Sequence, residues 1–447
     1  MTAPDRKAWV VSVLMGLGHL RAAYPLRDIA EGGIIFYGSR SATPQAEYRT
    51  WRKMRRIYYF SSRAGRFPII GQFLLKILLL FERIRPYYPK KDQSRPNAAT
   101  RYLNRLVKKK GVCAALADRV RTRSLPVINT FYATAVALDD LRAVDEENYL
   151  LICDADFNRV WVPLKPKESR LQYLAPCTQV TKRLMAYGVS PENIHLTGFP
   201  LPKENIGSET GLEVLKEDLF NRLLRLDPGK KFFSIHARSV RHWLGRDGLS
   251  ARRPSAFELT FAVGGAGAQV EIARAILKSL KPRILDGSIR LNLSAGVQKD
   301  VFVRLLGAIN DENLYQSLEH GLTLIYDLDV FAYLDRFNRV LRRTDVLWTK
   351  PSELSFYCGL GIPILLAPPI GTHEELNRRW LREIHAGVDP AGPVSACHEW
   401  LFDLRENGRL AEAAWDGFLK SRKLGTYKIE RLIRTGRMRD GELPLEK

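Results

Sequence analysis

The stretch VSVLMGLGHLRAAYPL, residues 11–26, decides the reading of the fold. Its apolar run stops at Gly16, passes Gly18 and His19, and continues with helical spacing. A strand that ends in two glycines and turns into a helix opens a parallel α/β unit, and ligands meet such units at that turn. A dinucleotide fingerprint is one reading of Gly16-x-Gly18. Two features argue against it: Arg21 stands where the third glycine belongs, and the next strand, GGIIFYG, runs into Gly38, Ser39 and Arg40 where an acid for a ribose is expected.

Working outward, apolar runs punctuated by glycine, proline or charge predict strands at Trp9–Met15, Gly33–Tyr37, Pro126–Asn129, Tyr149–Cys153, Leu171–Leu174 and Ile194–Thr197. Their continuous apolar character suits parallel strands covered on both faces. A polar stretch follows, then a helix over about Leu212–Leu226, then a second alternating series. Its strands are expected at Phe257–Val263, Ile289–Leu293, Leu322–Tyr326, Val346–Trp348 and Ile364–Ala367. The expectation is an α/β protein of two doubly wound, Rossmann-like lobes with a C-terminal helical tail. Its boundaries are 1–205, a linker at 206–230, 231–400, and a tail at 401–447.

The 447 residues suffice for two or three cores. A net charge of +22 predicts attraction to polyanions or anionic lipid. The basic clusters RTWRKMRR (49–56), RLVKKK (105–110) and RVRTR (119–123) put most of that charge in the first lobe. Cys113, Cys153, Cys177, Cys358 and Cys397 form no C-x-x-C pair, which points to buried thiols in a reducing compartment rather than a disulfide framework or a zinc site. The N-terminus has no signal-peptide pattern. The segment FPIIGQFLLKILLLFERIRPYYPKK (67–91) holds about 14 largely apolar residues, fewer than the ~20 a spanning helix needs. It reads as a buried helix or as one lying in a membrane interface.

Three further loops carry chemistry. In LTFAVGGAGAQVEIARAIL a strand passes Gly264, Gly265 and Gly267 into an amphipathic helix, a backbone and helix-end site for a diphosphate. It is not a P-loop, because no Gly-Lys-Ser/Thr follows. After the break at Gly361 and Pro363, a helix opens with His373, Glu374 and Asn377 on one face, groups that suit sugar hydroxyls. CDADF offers Asp154 and Asp156 as an Asp-x-Asp pair of the kind that holds a metal.

The ordered set of motifs resembles the GT-B glycosyltransferases that act on lipid acceptors: monogalactosyldiacylglycerol synthases, processive diacylglycerol glucosyltransferases, and the peptidoglycan enzyme that adds N-acetylglucosamine to an undecaprenyl-linked intermediate. The matching segments are GLGHLRAA, CDADFNRVWV with Asp154, Asn158 and Trp161, the run LAPCTQVTKRLMAYGVSPENIHLTGFPL, VGGAGA, and His373-Glu374-x-x-Asn377. Departures are Asn158 for a usual His, His373 for a usual Gln, and Phe356 at the register of a ribose-binding Glu, with Glu353 one turn earlier as a substitute. The resemblance implies two lobes facing across a cleft and inverting transfer from a nucleotide-sugar, by resemblance a UDP-sugar, to a lipid or lipid-linked hydroxyl. It implies no metal and no cofactor. Gly264, Gly265, Gly267, Glu353, His373, Glu374 and Asn377 would bind the donor. Gly16 and Gly18 would form the acceptor-side loop, with His19 as the base and Asp154 as second candidate. The first lobe would take the acceptor and dock on the inner face of the membrane, which makes the protein cytoplasmic and peripheral. The alternatives are a nucleotide-sugar 2-epimerase or hydrolase of the same fold, and a basic nucleic-acid-binding protein. No zinc knuckle, RNA-recognition signature or helix-turn-helix supports the last, so no nucleic-acid partner is expected.

Overall fold

Trp9–Val13 (β1) is buried at every position, as expected of a strand covered on both faces. It pairs in parallel with Ile35–Tyr37 (β2) on one side and with Val127–Asn129 (β3) on the other. In a computed structural model of the chain, the described residues are 6–64, 84–89, 91–245, 256–263, 269–369, 371–439 and 441–447. The strand order of the first sheet is β2-β1-β3-β4-β5-β6, all parallel, with β4 Asn148–Leu151, β5 Gln172–Leu174 and β6 Ile194–His195. Helices of this part are α1 (Leu17–Ala23), α2 (Gln45–Ala64), α3 (Ala98–Lys110), α4 (Ala114–Arg121), α5 (Tyr132–Asp140) and α6 (Thr178–Ala186).

The second sheet is also parallel, in the order β12-β11-β10-β7-β8-β9. Its strands are β7 Phe257–Ala262, β8 Ile289–Gly296, β9 Leu322–Tyr326, β10 Val346–Thr349, β11 Ile364–Leu366 and β12 Gly387–Val388. Its helices are α7 (Glu213–Leu226), α8 (Lys231–Leu244), α9 (Val270–Leu285), α10 (Lys299–Asp311), α11 (Val330–Leu341), α12 (Thr372–Glu383), α13 (Cys397–Glu406) and α14 (Arg409–Lys420). A last helix, α15, spans Gly425–Thr435. All eleven strands expected from the sequence are present, and β12 is the addition.

Two compact units result. One comprises residues 1–200, 370–377 and 424–441; the other comprises 201–369, 378–423 and 442–447. The stretch 206–230, read as a linker, contains α7, whose Leu215, Leu219, Leu223 and Leu226 are buried in the second unit. The tail splits: α13 and α14 stay with the second unit, and α15 packs on the Tyr24–Ile29 turn of the first. Gly425 starts α15 because any side chain there would strike the Phe199 carbonyl.

Each sheet reverses its winding once. In the first, β1 leads to β2 on one side and β3 on the other, so the switch lies between β1 and β3. In the second it lies between β7 and β10. Chain ends diverge at such points and leave a crevice at the strands' carboxyl edge. Most of segment 67–91 lies outside the described residues; among those described, no helix is long and apolar enough to cross a membrane.

Candidate functional site

The first switch point is bridged by a histidine. After β1 the chain turns at Gly16, whose φ of 92° suits a residue without a Cβ, and enters the short helix α1. His19, one turn in, sets its Nδ1 2.6 Å from the carbonyl oxygen of Thr130, the residue that follows β3. A carbonyl only accepts, so Nδ1 carries the proton and the lone pair of the neutral ring is on Nε2. Thr130 is itself fixed: its N–H donates to Val11 (3.0 Å) and its hydroxyl lies 3.0 Å from Ser12 Oγ, both on β1. The ring sits edge-on to Phe131 at 5.0 Å and tilted to Trp161 at 6.2 Å, with Cys153 Sγ 3.7 Å from Nδ1. Three strand ends and two aromatic faces thus hold one imidazole in one tautomer and one orientation.

Beyond β4, the CDADF loop is pinned by two side chains. Asn377, fully buried, donates from Nδ2 to Asp154 (2.8 Å) and accepts at Oδ1 from the Ala155 N–H (2.7 Å). Asp156 is paired fork to fork with Arg183, at 2.7 Å to each oxygen, and both side chains are 1% exposed. The remaining Arg183 nitrogen donates to Gln93 and to the Arg85 carbonyl, and the guanidinium lies 3.9 Å over the Tyr87 ring. Burial pulls the Arg183 pKa down, but the hydrogen bonds and charge of Asp156 outweigh it and hold the group above its ordinary value. Both carboxylates of the Asp-x-Asp pair are therefore engaged by protein donors. Among the described residues no group of three or more His, Cys, Asp or Glu is arranged to hold a metal ion.

Asn158 Oδ1 accepts from the Val160 N–H and from Asn97 Nδ2, and so caps the turn that carries Trp161. Glu374 is 2% exposed and lies 3.8 Å from His373 Nε2. The structure thus gathers Gly16, Gly18, His19, Asp154, His373, Glu374 and Asn377 into the first unit and joins Asn377 to Asp154. Gly264, Gly265 and Gly267 lie outside the described residues. Their flanks are the end of β7 and the start of α9, where Gln269 donates to the Pro368 carbonyl at 3.4 Å. Glu353 follows β10 on the other side of the second switch point and is half-buried. Phe356 is fully buried against Trp380 and presents no polar side-chain group.

Sequence reasoning missed Thr130 as the group that orients His19, Arg183 as the partner of Asp156, and the tie from Asn377 to Asp154. A Thr at a strand end and an Arg mid-helix carry no local signal of such roles. The Asn377 tie has a testable consequence. Asn377→Asp keeps the acceptor for Ala155 but sets a second carboxylate against Asp154. It should lower the unfolding free energy by about 2 kcal/mol at pH 7. The shared site raises one folded-state pKa, so the loss should shrink as pH falls into the carboxylate range. Urea denaturation at pH 7 and pH 5 reads both effects, and an equal loss at the two pH values would refute the like-charge account.

A family model described as a domain of unknown function (DUF6938) matches residues 249–429. No curated protein matches the chain. Among solved structures, the chain is similar to Staphylococcus aureus MnaA in a UDP co-structure, at 11% identity and a TM-score of 0.45, with 96% of each chain covered. It is similar to UDP-GlcNAc 2-epimerase of Neisseria meningitidis bound to UDP-GlcNAc, at 11% identity and a TM-score of 0.42, covering 81% of this chain and 87% of that one. It is also similar to MurG of Acinetobacter baumannii, at 12% identity and a TM-score of 0.40, covering 75% and 76%.

Proposed function

We propose that the protein is a GT-B glycosyltransferase. It moves a sugar from a nucleotide-sugar, of the UDP class, to a lipid or lipid-linked hydroxyl, with inversion and without a metal. The single observation that carries this reading is the His19–Thr130 hydrogen bond across the first switch point, which leaves Nε2 as the basic atom of a fixed imidazole. In the proposed reaction Nε2 takes the proton of the acceptor hydroxyl while its oxygen attacks the anomeric carbon. The bond from that carbon to the diphosphate oxygen breaks, and the nucleoside diphosphate leaves. Residues 264–267 and the N-terminus of α9 would receive its negative charge. Glu353 would hold the ribose, and His373 and Glu374 the sugar. Asn377 serves this site by fixing Asp154 and the Ala155 backbone.

The acceptor side is supported by charge. In the first unit, α3 carries Arg101, Arg105, Lys108, Lys109 and Lys110 and no acid, all five exposed, with Tyr102 61% exposed among them. Such a face suits an anionic lipid surface.

A thermal-shift screen against UDP-, GDP-, ADP- and dTDP-sugars tests the donor. Stabilisation by one UDP-sugar, of about 2–3 kcal/mol at a hundredfold excess over Kd, is expected. The best hit is then incubated with and without membrane extract. Sugar transfer that needs the extract supports the proposal, whereas conversion of the UDP-sugar alone identifies an epimerase or hydrolase instead.

A further inference from the structure

The strongly basic sequence clusters all lie in the first unit, yet the second unit presents a cationic ridge of its own. Helix α8, KFFSIHARSVRHWL, contains no Asp or Glu. Its N-terminus is anchored by Asp227, whose two oxygens accept from the Phe232 (3.1 Å) and Phe233 (2.8 Å) N–H groups. Its inner face is set by Phe232, Val240 and Leu244, all buried, and Phe232 packs edge-on against Trp415 of α14 at 6.3 Å. The outer face follows from that seating. Lys231, Ile235, Arg238, Arg241 and His242 fall on one helical stripe, and every one of them is exposed. Among the described residues, Lys231, Arg238 and Arg241 form no ion pair, whereas the exposed arginines of α9 and α11, Arg274 and Arg339, are paired with Asp311 and Asp335. In the middle of the stripe stands Ile235, 71% exposed.

A stripe of unneutralised cations asks for an anionic partner. The apolar side chain at its centre selects which kind. A phosphate backbone gains nothing from an exposed isoleucine, whereas a lipid surface gains both from basic groups at the headgroups and from an apolar side chain that enters the acyl boundary. Trp243, half-buried at the end of the helix, is of the type enriched at that boundary. We propose that α8 is a docking surface for an anionic lipid bilayer, with Lys231, Arg238 and Arg241 on the headgroups and Ile235 inserted. This helix belongs to the second unit, whereas α3 belongs to the first, and the proposal does not depend on the glycosyl-transfer reading.

The five native cysteines are all buried, so a cysteine introduced at Ile235 can be labelled selectively in the folded full-length chain. The Ile235→Cys protein carrying an environment-sensitive fluorophore is mixed with phosphatidylcholine vesicles and with vesicles containing phosphatidylglycerol. The expected result is a blue shift with the anionic vesicles only, reversed by high salt. Neutralising Arg238 and Arg241 to Gln should raise the lipid concentration needed for half the shift about thirtyfold. Both are exposed, so circular dichroism should be unchanged. The proposal is overturned by sedimentation with anionic vesicles without a shift at position 235, which would assign binding to other faces. It is also overturned by an equal shift on neutral vesicles, by a double variant that binds as the parent does, or by a shift with duplex DNA and none with vesicles.

Discussion

Replacing His19 with alanine should lower turnover about 10²–10⁴-fold, the range for loss of a positioned general base, while the stabilisation by nucleotide-sugar is retained. The residue has two jobs that must be separated. Its Nδ1 braces the turn after β1 against Thr130, and its Nε2 is the basic atom of the proposed mechanism. Asparagine separates them, because its side-chain amide nitrogen reaches the position of Nδ1 and nothing replaces Nε2. If His19 is the base, His19→Asn should melt like the parent yet be as slow as His19→Ala. If the residue only braces the turn, His19→Asn should restore turnover. Near-normal turnover in either variant would remove His19 from the chemistry.

The second large effect is on folding. Asp156 also accepts from the Phe157 N–H (2.9 Å), and Arg183→Leu leaves that as its remaining donor among the described residues while stripping Gln93 and the Arg85 carbonyl of a donor. Breaking a buried pair from one side costs about 3–5 kcal/mol. That is a large share of the ~5–15 kcal/mol by which a domain is stable. The double variant Arg183→Leu/Asp156→Leu removes the stranded charge and should recover much of the loss, since an apolar pair of similar volume is often neutral. Denaturant unfolding of the parent, the two single variants and the double variant gives the coupling directly. A single-variant loss below about 1 kcal/mol would contradict the description of Arg183 as the clamp of this loop.

What the sequence disclosed follows from the range of the forces involved. Buried strands leave mostly apolar stretches in the sequence, so the starts of β1, β7 and β8 at Trp9, Phe257 and Ile289 were legible, whereas β8 runs on to Gly296, past the Leu293 expected, through the buried polar Asn292 and Ser294. β12 was not legible, because two residues, one of them Gly387, carry no period. The place of His19 in the turn after β1 was legible because a glycine turn after a first strand is a local pattern. The partners of the site were not, because they meet only through topology: Thr130 is 111 residues from His19, and Asn377 is 223 from Asp154. Asn377 was read as one of several polar groups on a helix face, which is correct about the helix and silent about what that face meets. The basic ridge of α8 escaped notice for a different reason. Its cations are spread at helical intervals between aromatic residues and form no run in the linear sequence.

The chain's returns between its two units, at 200/201, 369/370, 377/378, 423/424 and 441/442, bear on how such a protein can be recombined. A chimera joined near residue 205, the obvious seam in the gene, would graft a foreign second half and discard this protein's Asn377 and α15 with it. The retained half would then have lost the amide that fastens its own CDADF loop. Exchanging specificity by shuffling whole halves is thus barred by the path of the backbone. A workable graft must keep 370–377 and 424–441 native, so recombination is confined to the interrupted segments between them.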